Sequence, residues 1–254
     1  MKAVILAGGY GTRMAEYTEL VPKPMVSIGG KPTLVHIMDY YAKFGVREFV
    51  IAAGYKSEVI KKYFMDFSIS NSDFKVETAT GDTERLGEIP TRDWSVSVID
   101  TGQNSMTGGR LLRLKPYIKD EAFLLTYGDG LSNVNIQAVI DAHEAAKNVV
   151  TVTAVRPAAR FGELELHMGK VRSFKEKPQL QQGWINGGFF VVEPSFLDYI
   201  SDDDVVLEQG PLETAAVDGV LGAHLHEGFW QCMDTKRDRD YLEDLWAKNE
   251  APWA

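Results

Sequence analysis

Apolar and polar positions along the chain alternate between short uninterrupted runs and longer amphipathic stretches. Ala3-Val4-Ile5-Leu6 is wholly apolar and ends in glycines, the pattern of a central parallel strand buried on both faces. Pro32 to Phe44 reads as a helix, with Pro32 in its first turn and Gly45 just past its end. Glu48 to Ala53 predicts a second buried strand, and Glu58 to Phe64 a second helix. Residues 67 to 94 carry a weaker pattern, in which Lys75 to Ala79 predicts a strand and the rest a loop. Beyond it come a strand at Ser95 to Ile99, a helix at Gly109 to Tyr117 and a strong strand at Ala122 to Thr126. Asn135 to Ala146 is amphipathic, and Val149 to Val155 is another strand. From Gly162 the pattern shifts to short strands and turns, through Val171 to Phe174 and Phe189 to Val192. A last helix is predicted at residues 237–248. Strands alternating with helices imply βαβ units and a doubly wound α/β sheet.

Composition narrows this picture. The chain has 254 residues, 44% hydrophobic and 25% charged, which is ordinary for a globular protein. No linker or charge run divides it, so one domain over 1–254 is expected. Asp202-Asp203-Asp204 reads as a solvated loop. A net charge of −9 and a pI of about 5.1 argue against a general surface for nucleic acid or acidic membrane. Anionic ligands would have to be held by local cations. The single cysteine, Cys232, gives no disulfide framework. The N-terminal apolar run is too short for a signal peptide, so a cytoplasmic location is expected.

Chemistry concentrates first in Leu6-Ala7-Gly8-Gly9-Tyr10-Gly11-Thr12-Arg13-Met14, followed by Val21-Pro22-Lys23-Pro24-Met25. Glycines after a strand let backbone N–H groups approach phosphate with no Cβ in the way. Arg13 supplies a planar fork and Lys23 a point charge. The dinucleotide fingerprint fails, because Met14 stands at its third glycine and no acidic residue follows at the ribose distance. The P-loop pattern fails too, with Pro32 after Gly30-Lys31 and Met25 at the first glycine. Gly-Gly-x-Gly alone fits a plain tight turn as well as a phosphate cradle. Together with Thr-Arg and Lys-Pro-Met, the stretch resembles the sugar-1-phosphate nucleotidyltransferases. The resemblance implies that Leu6, Ala7, Gly8, Gly9, Gly11 and Thr12 hold a triphosphate, and that Arg13 and Lys23 contact its phosphates.

A second cluster, Asp100-Thr101-Gly102-Gln103-Asn104-Ser105-Met106-Thr107-Gly108-Gly109-Arg110, lies between a strand and a helix. Small and polar residues there suit a flat base, but uracil or thymine would need only a few groups reversed relative to cytosine. Thr107 also suits a helix cap. The segment is similar to that of the family's cytidylyltransferase branch, which implies CTP as nucleotide and glucose 1-phosphate as its partner. Thr101, Asn104, Ser105, Gly109, Arg110 and Gly128 are then expected on the nucleotide.

Asp129, in Tyr127-Gly128-Asp129-Gly130, follows a buried strand, at the sheet edge where ligands of open α/β sheets gather. Two carboxylates with phosphate oxygens suit Mg²⁺. Family likeness pairs Asp129 with Asp234 of Met233-Asp234-Thr235 as the metal ligands. The absence of Asp-x-Asp after the strand argues against glycosyl transfer. On the sugar side, Phe174 to Pro178 and Trp184 to Phe189 resemble family elements. They imply sugar-phosphate roles for Tyr127, Glu176, Lys177, Asn186 and Gly187, with Lys177 also in the reaction. The resemblance further implies a Rossmann-like, mostly parallel mixed sheet flanked by helices, with a nucleotide part at about 1–130 and a smaller β-rich sugar part at about 131–235. It also implies a homo-oligomer. His224 and His226 share a strand face, and no metal is expected there. Cys232, where this branch carries proline, reads as a tolerated small residue and not a nucleophile.

Overall fold

The computed structural model describes residues 1–86, 92–118, 120–157, 163–167, 170–175 and 183–254. Its centre is a seven-stranded sheet built from β1 (Ala3–Ala7), β2 (Glu48–Ala53), β3 (Ser95–Asp100), β4 (Phe123–Tyr127), β5 (Val150–Val155), β6 (Ile185–Val192) and β7 (Leu221–His226). The strand order is β7-β5-β6-β4-β1-β2-β3. β6 runs antiparallel to its neighbours β5 and β4, and every other pairing in this sheet is parallel. The predicted mixed, mostly parallel sheet is therefore the observed one.

Side-chain alternation along the strands explains the layering. Ala3, Ile5 and Ala7 of β1 enter one core, while Val4 and Leu6 enter the other. On the first face lie α1 (Thr33–Ala42), α2 (Ser57–Met65), α4 (Ile136–Ala146) and α6 (Lys236–Ala247). On the second lie α3 (Thr107–Arg113) and α5 (Pro211–Val217). The two-sided burial accounts for the unbroken apolar runs of β1 and β2. α4 starts where Asn135 accepts from the Ala138 N–H, and α6 where Thr235 and Asp238 form a capping box.

Four segments depart from the sequence reading. Residues 73–77 and 82–86 form a hairpin turning at Gly81, where one strand at 75–79 was expected. Both of its strands are exposed throughout, so no hydrophobic face marked them. α3 begins two residues earlier than predicted, because the carbonyl of Val205 accepts from the N–H groups of Gly108 (2.9 Å) and Gly109 (3.3 Å). A chain segment remote in sequence thus satisfies the first turn, without a side-chain cap. Asp203 is not simply a solvated loop residue: it pairs with Arg113, and its carbonyl accepts from Met106 N–H at 2.9 Å. Finally, α5, β7 and a short strand at Trp230–Cys232 complete a region with no clear periodicity. Among the described residues, no helix is long and apolar enough to cross a membrane.

Candidate active site

A cavity of about 720 Å³ opens at the carboxyl ends of β1 and β4. Leu6, Ala7, Gly8, Gly9, Gly11, Asn104, Ser105, Gly128, Asp129, Asn186, Gly187 and Asp234 line it, along with Lys23. A smaller adjoining cavity of about 210 Å³ is lined by Gly11, Thr12, Arg13, Lys23 and Asp234. The two share Gly11, Lys23 and Asp234, so the glycine-rich turn forms one continuous wall. At Gly8, any side chain would require a neighbouring group to move. A Cβ there would lie 2.2 Å from the Arg110 guanidinium, which is packed against the turn.

Arg110 is itself buried, and three hydrogen bonds tie its guanidinium to the protein. One terminal nitrogen donates to Thr101 Oγ1 (2.9 Å) and Gly102 O (2.6 Å), the other to Gln103 O (3.1 Å). Burial holds the guanidinium below its ordinary value, and the nearby Tyr10 and Asp100 oppose that shift. Arg110 therefore borders the cavity as a brace for the 101–105 segment.

Asp129 and Asp234 are far apart in sequence and are brought together by a small ladder. Residues 130–132 pair with 230–232, setting Gly130 opposite Cys232, and Met233 N–H donates to Asp129 O at 2.9 Å. Lys23 Nζ lies 2.5 Å from Asp129 Oδ2 and 2.6 Å from Asp234 Oδ1. It is held by the Lys23–Met25 turn, whose Pro24 ring backs Gly128. Arg13 reaches Asp234 at 3.1 Å from a largely exposed position. Burial alone would depress the Lys23 ammonium. The charge of Asp129, with hydrogen bonds to both carboxylates, outweighs this and raises it above the usual lysine range. Burial pushes the Asp234 carboxyl up, but Lys23 and then Arg13 bring it below its ordinary value.

Ligand atoms of Asp129, Cys232 and Asp234 all lie within 4.8 Å of one another. The two carboxylates are hard oxygen donors suited to a divalent cation such as Mg²⁺. The thiol does not match that chemistry, and burial, then the Asp129 charge, keeps it protonated.

At the other end, Tyr127 closes the cavity where β4 ends. Its hydroxyl donates to Glu208 and accepts from Asn186 Nδ2 at 3.4 Å. Asn186 Oδ1 accepts from Gly188 N–H at 2.8 Å, and Trp230 Nε1 donates to Gly187 O at 2.7 Å. Burial, followed by the charge of Glu208, raises the Tyr127 phenol well above its ordinary value.

The sequence profile of the nucleotidyl transferase family matches residues 2–227. The chain belongs to that family. A glucose-1-phosphate cytidylyltransferase of Salmonella typhimurium is 52% identical over 254 residues, spanning 100% of this chain and 98% of that protein. A probable glucose-1-phosphate cytidylyltransferase of Bacillus subtilis is 42% identical, spanning 100% and 99%. Among solved structures, HddC from Yersinia pseudotuberculosis shares the fold, with a TM-score of 0.69 at 24% identity over 96% of this chain and 99% of that one.

For this nucleotidyl transferase, several residues expected on the nucleotide have other work. Thr101 is fully buried, donates its hydroxyl to Ala53 O at 2.7 Å, and does not line the cavity. Gly109 is likewise off the cavity wall: a Cβ there would sit 2.2 Å from Asp203 O, so the glycine lets residues 203–205 dock on α3. Ser105 lines the wall, but its hydroxyl is committed to Thr101 O at 2.6 Å. Thr107 is the first residue of α3 rather than its cap, and its hydroxyl donates to Glu208 Oε2. Glu176 and Lys177 lie outside the described residues. Sequence reasoning missed Tyr10, which donates to Asn104 Oδ1 at 2.8 Å, and also Trp230 and Glu208. Tyr10 was within reach, since it interrupts the glycines of the turn. Glu208 precedes Gln-Gly-Pro and looks like an ordinary turn residue.

Proposed function

We propose that this nucleotidyl transferase moves the cytidylyl group of CTP onto α-D-glucose 1-phosphate, releasing CDP-glucose and pyrophosphate. The supporting observation is a single cavity that unites the glycine-rich turn, the 101–110 segment and the Asp129–Lys23–Asp234 cluster. It occurs in a chain 52% identical, end to end, to a glucose-1-phosphate cytidylyltransferase.

A phosphate oxygen of the sugar phosphate bonds to the α-phosphorus of CTP in line, and the bond to the β-phosphate bridging oxygen breaks. No general base is required, because a phosphate monoester with a second pKa of about 6 is already ionised at neutral pH. The obstacle is the meeting of two anions. Arg13 and Lys23, beside Gly11 and Thr12, offset the triphosphate charge and fix its line. Lys177, through its family resemblance, takes the sugar phosphate. Asp129 and Asp234 would hold Mg²⁺, which supplies charge neutralisation at the transferred phosphate. Lys23 now holds both of those carboxylates, so its ammonium is placed to pass from them to the phosphates. A cytoplasmic, self-associating enzyme belongs to the same reading.

The test is pyrophosphate release from glucose 1-phosphate with CTP, UTP and dTTP in parallel. CTP is expected to exceed the others in kcat/KM by about 100-fold or more, since mispaired base groups in a hydrogen-bonding site are heavily penalised. Faster turnover with UTP or dTTP would reassign the nucleotide. Tight CTP binding with no pyrophosphate from any sugar phosphate would make the chain a nucleotide sensor.

A further inference from the structure

We propose that Glu208 is a positioning residue for the sugar end of the site, setting from outside the cavity the hydrogen-bond direction of the Tyr127 hydroxyl toward Asn186. This inference rests on the sugar phosphate occupying the end of the cavity formed by those two residues.

Glu208 does not line the cavity; Tyr127 and Asn186 do. Its carboxylate is held from two sides. Oε1 accepts the Tyr127 hydroxyl, and Oε2 accepts the Thr107 hydroxyl at 2.8 Å. Thr107 Oγ1 in turn accepts from Leu207 N–H at 2.9 Å, so its only proton is free to go to Glu208.

A phenol carries one proton. With that proton given to Glu208, the Tyr127 oxygen faces Asn186 as an acceptor and takes a hydrogen bond from Nδ2. Asn186 cannot turn its amide over, because Oδ1 is held by Gly188 N–H. The second N–H of Nδ2 is thereby presented as a donor, matched to a sugar hydroxyl oxygen. A carboxylate at the head of this chain cannot donate, so the direction cannot reverse. Buried hydroxyl recognition depends on such fixed polarity, since an unpaired partner loses its hydrogen bonds to water.

The segment that carries Glu208 also docks on α3 through Val205 and Asp203. Glu208 therefore ties the element following the base-facing segment to the sugar end. One carboxylate spans both.

Glu208→Gln tests this with little change in shape. Its amide can donate to the Tyr127 oxygen and free the phenol proton, which Asn186 Nδ2 cannot accept, so the chain breaks between Tyr127 and Asn186. Dissociation constants for glucose 1-phosphate and for CTP, measured separately by calorimetry, are expected to split. The sugar phosphate should weaken about 10-fold, and CTP by less than twofold. The KM values should split the same way. Tyr127→Phe alone should reproduce the sugar-side loss, and the double variant should add little to either single one. Unchanged sugar-phosphate affinity, equal weakening of both ligands, or additive losses would overturn the assignment. If Glu208→Gln fails to fold, Tyr127→Phe decides: loss confined to the sugar phosphate supports the chain, and no loss overturns it. Failure of the proposed reaction would appear separately, as wild-type protein that binds glucose 1-phosphate yet forms no CDP-glucose.

Discussion

At the end of the cavity proposed for the nucleotide, the wall is mostly backbone: a glycine-rich turn held by Arg110, and a 101–105 segment whose hydroxyls are spent internally. At the end proposed for the sugar phosphate, the wall is a relay of side chains drawn from β4, β6, residues 230–232 and the approach to α5. A backbone wall tolerates few substitutions because its fit is steric. A side-chain relay keeps its shape under substitution but loses its polarity. The two ends meet at Asp129, Lys23 and Asp234.

The largest expected effect lies at that meeting point. Asp129→Asn should lower kcat by about 100-fold or more, since it removes charge used while the transferred phosphate is attacked. Both KM values should stay within a few-fold. Near-normal Mg²⁺-dependent turnover would mean that the junction of the two ends has been drawn in the wrong place.

Gly109→Ala comes next. Its Cβ meets the Asp203 backbone, which cannot swing aside as a side-chain tip could. A stability loss of about 1–3 kcal/mol is expected, read from denaturant unfolding. Because residues 203–208 would shift together, both ligands should weaken. A variant that weakens CTP alone would show the two ends to be more independent than the structure indicates.

The smallest effect lies outside both ends. His36 is buried, donates to Ile28 O at 2.9 Å and accepts from Trp253 Nε1 at 3.3 Å, so an added proton would face an N–H. Burial holds its pKa below 6.5. As pH falls below 6.5, the unfolded chain takes up a proton that the folded chain refuses, so stability falls until the folded value is passed. The slope contributed by this group approaches about 1.4 kcal/mol per pH unit at most. Melting temperature between pH 7 and 5 should therefore fall, and His36→Gln should flatten part of that fall. The ratio of the two ligand affinities should not differ between His36→Gln and wild type at any pH. If it did, His36 would belong to the site after all.

The same contrast explains what could be read from the amino-acid order. β1, β2 and the glycine-rich turn were legible because burial on both faces and a tight turn are written in contiguous residues. Asp129 was legible from its place after β4, whereas Asp234 needed the family pattern, because only the 130–132 and 230–232 ladder brings it near. Thr101 and Gly109 were drawn to the right neighbourhood but stand behind the cavity wall, whereas Arg110 borders the cavity and also braces the 101–105 segment. Sequence cannot distinguish a residue that touches a ligand from one that braces the wall behind it. Glu208 was illegible for the converse reason: its partners Tyr127 and Thr107 are remote in sequence, and its own flank is an ordinary turn.

The docking of residues 203–208 on the first turn of α3 has a consequence for anyone exchanging parts between relatives. Residues 100–110 look like a cassette, bounded by a strand and a helix, that could be replaced to change the base. Yet the first N–H groups of that helix are satisfied by Val205, and its two glycines are shaped to the 203–205 backbone. A transplanted 100–110 would arrive without its counterpart. The smallest portable unit is the pair of segments, and moving it would carry Glu208, and with it the carboxylate that holds the Tyr127 hydroxyl.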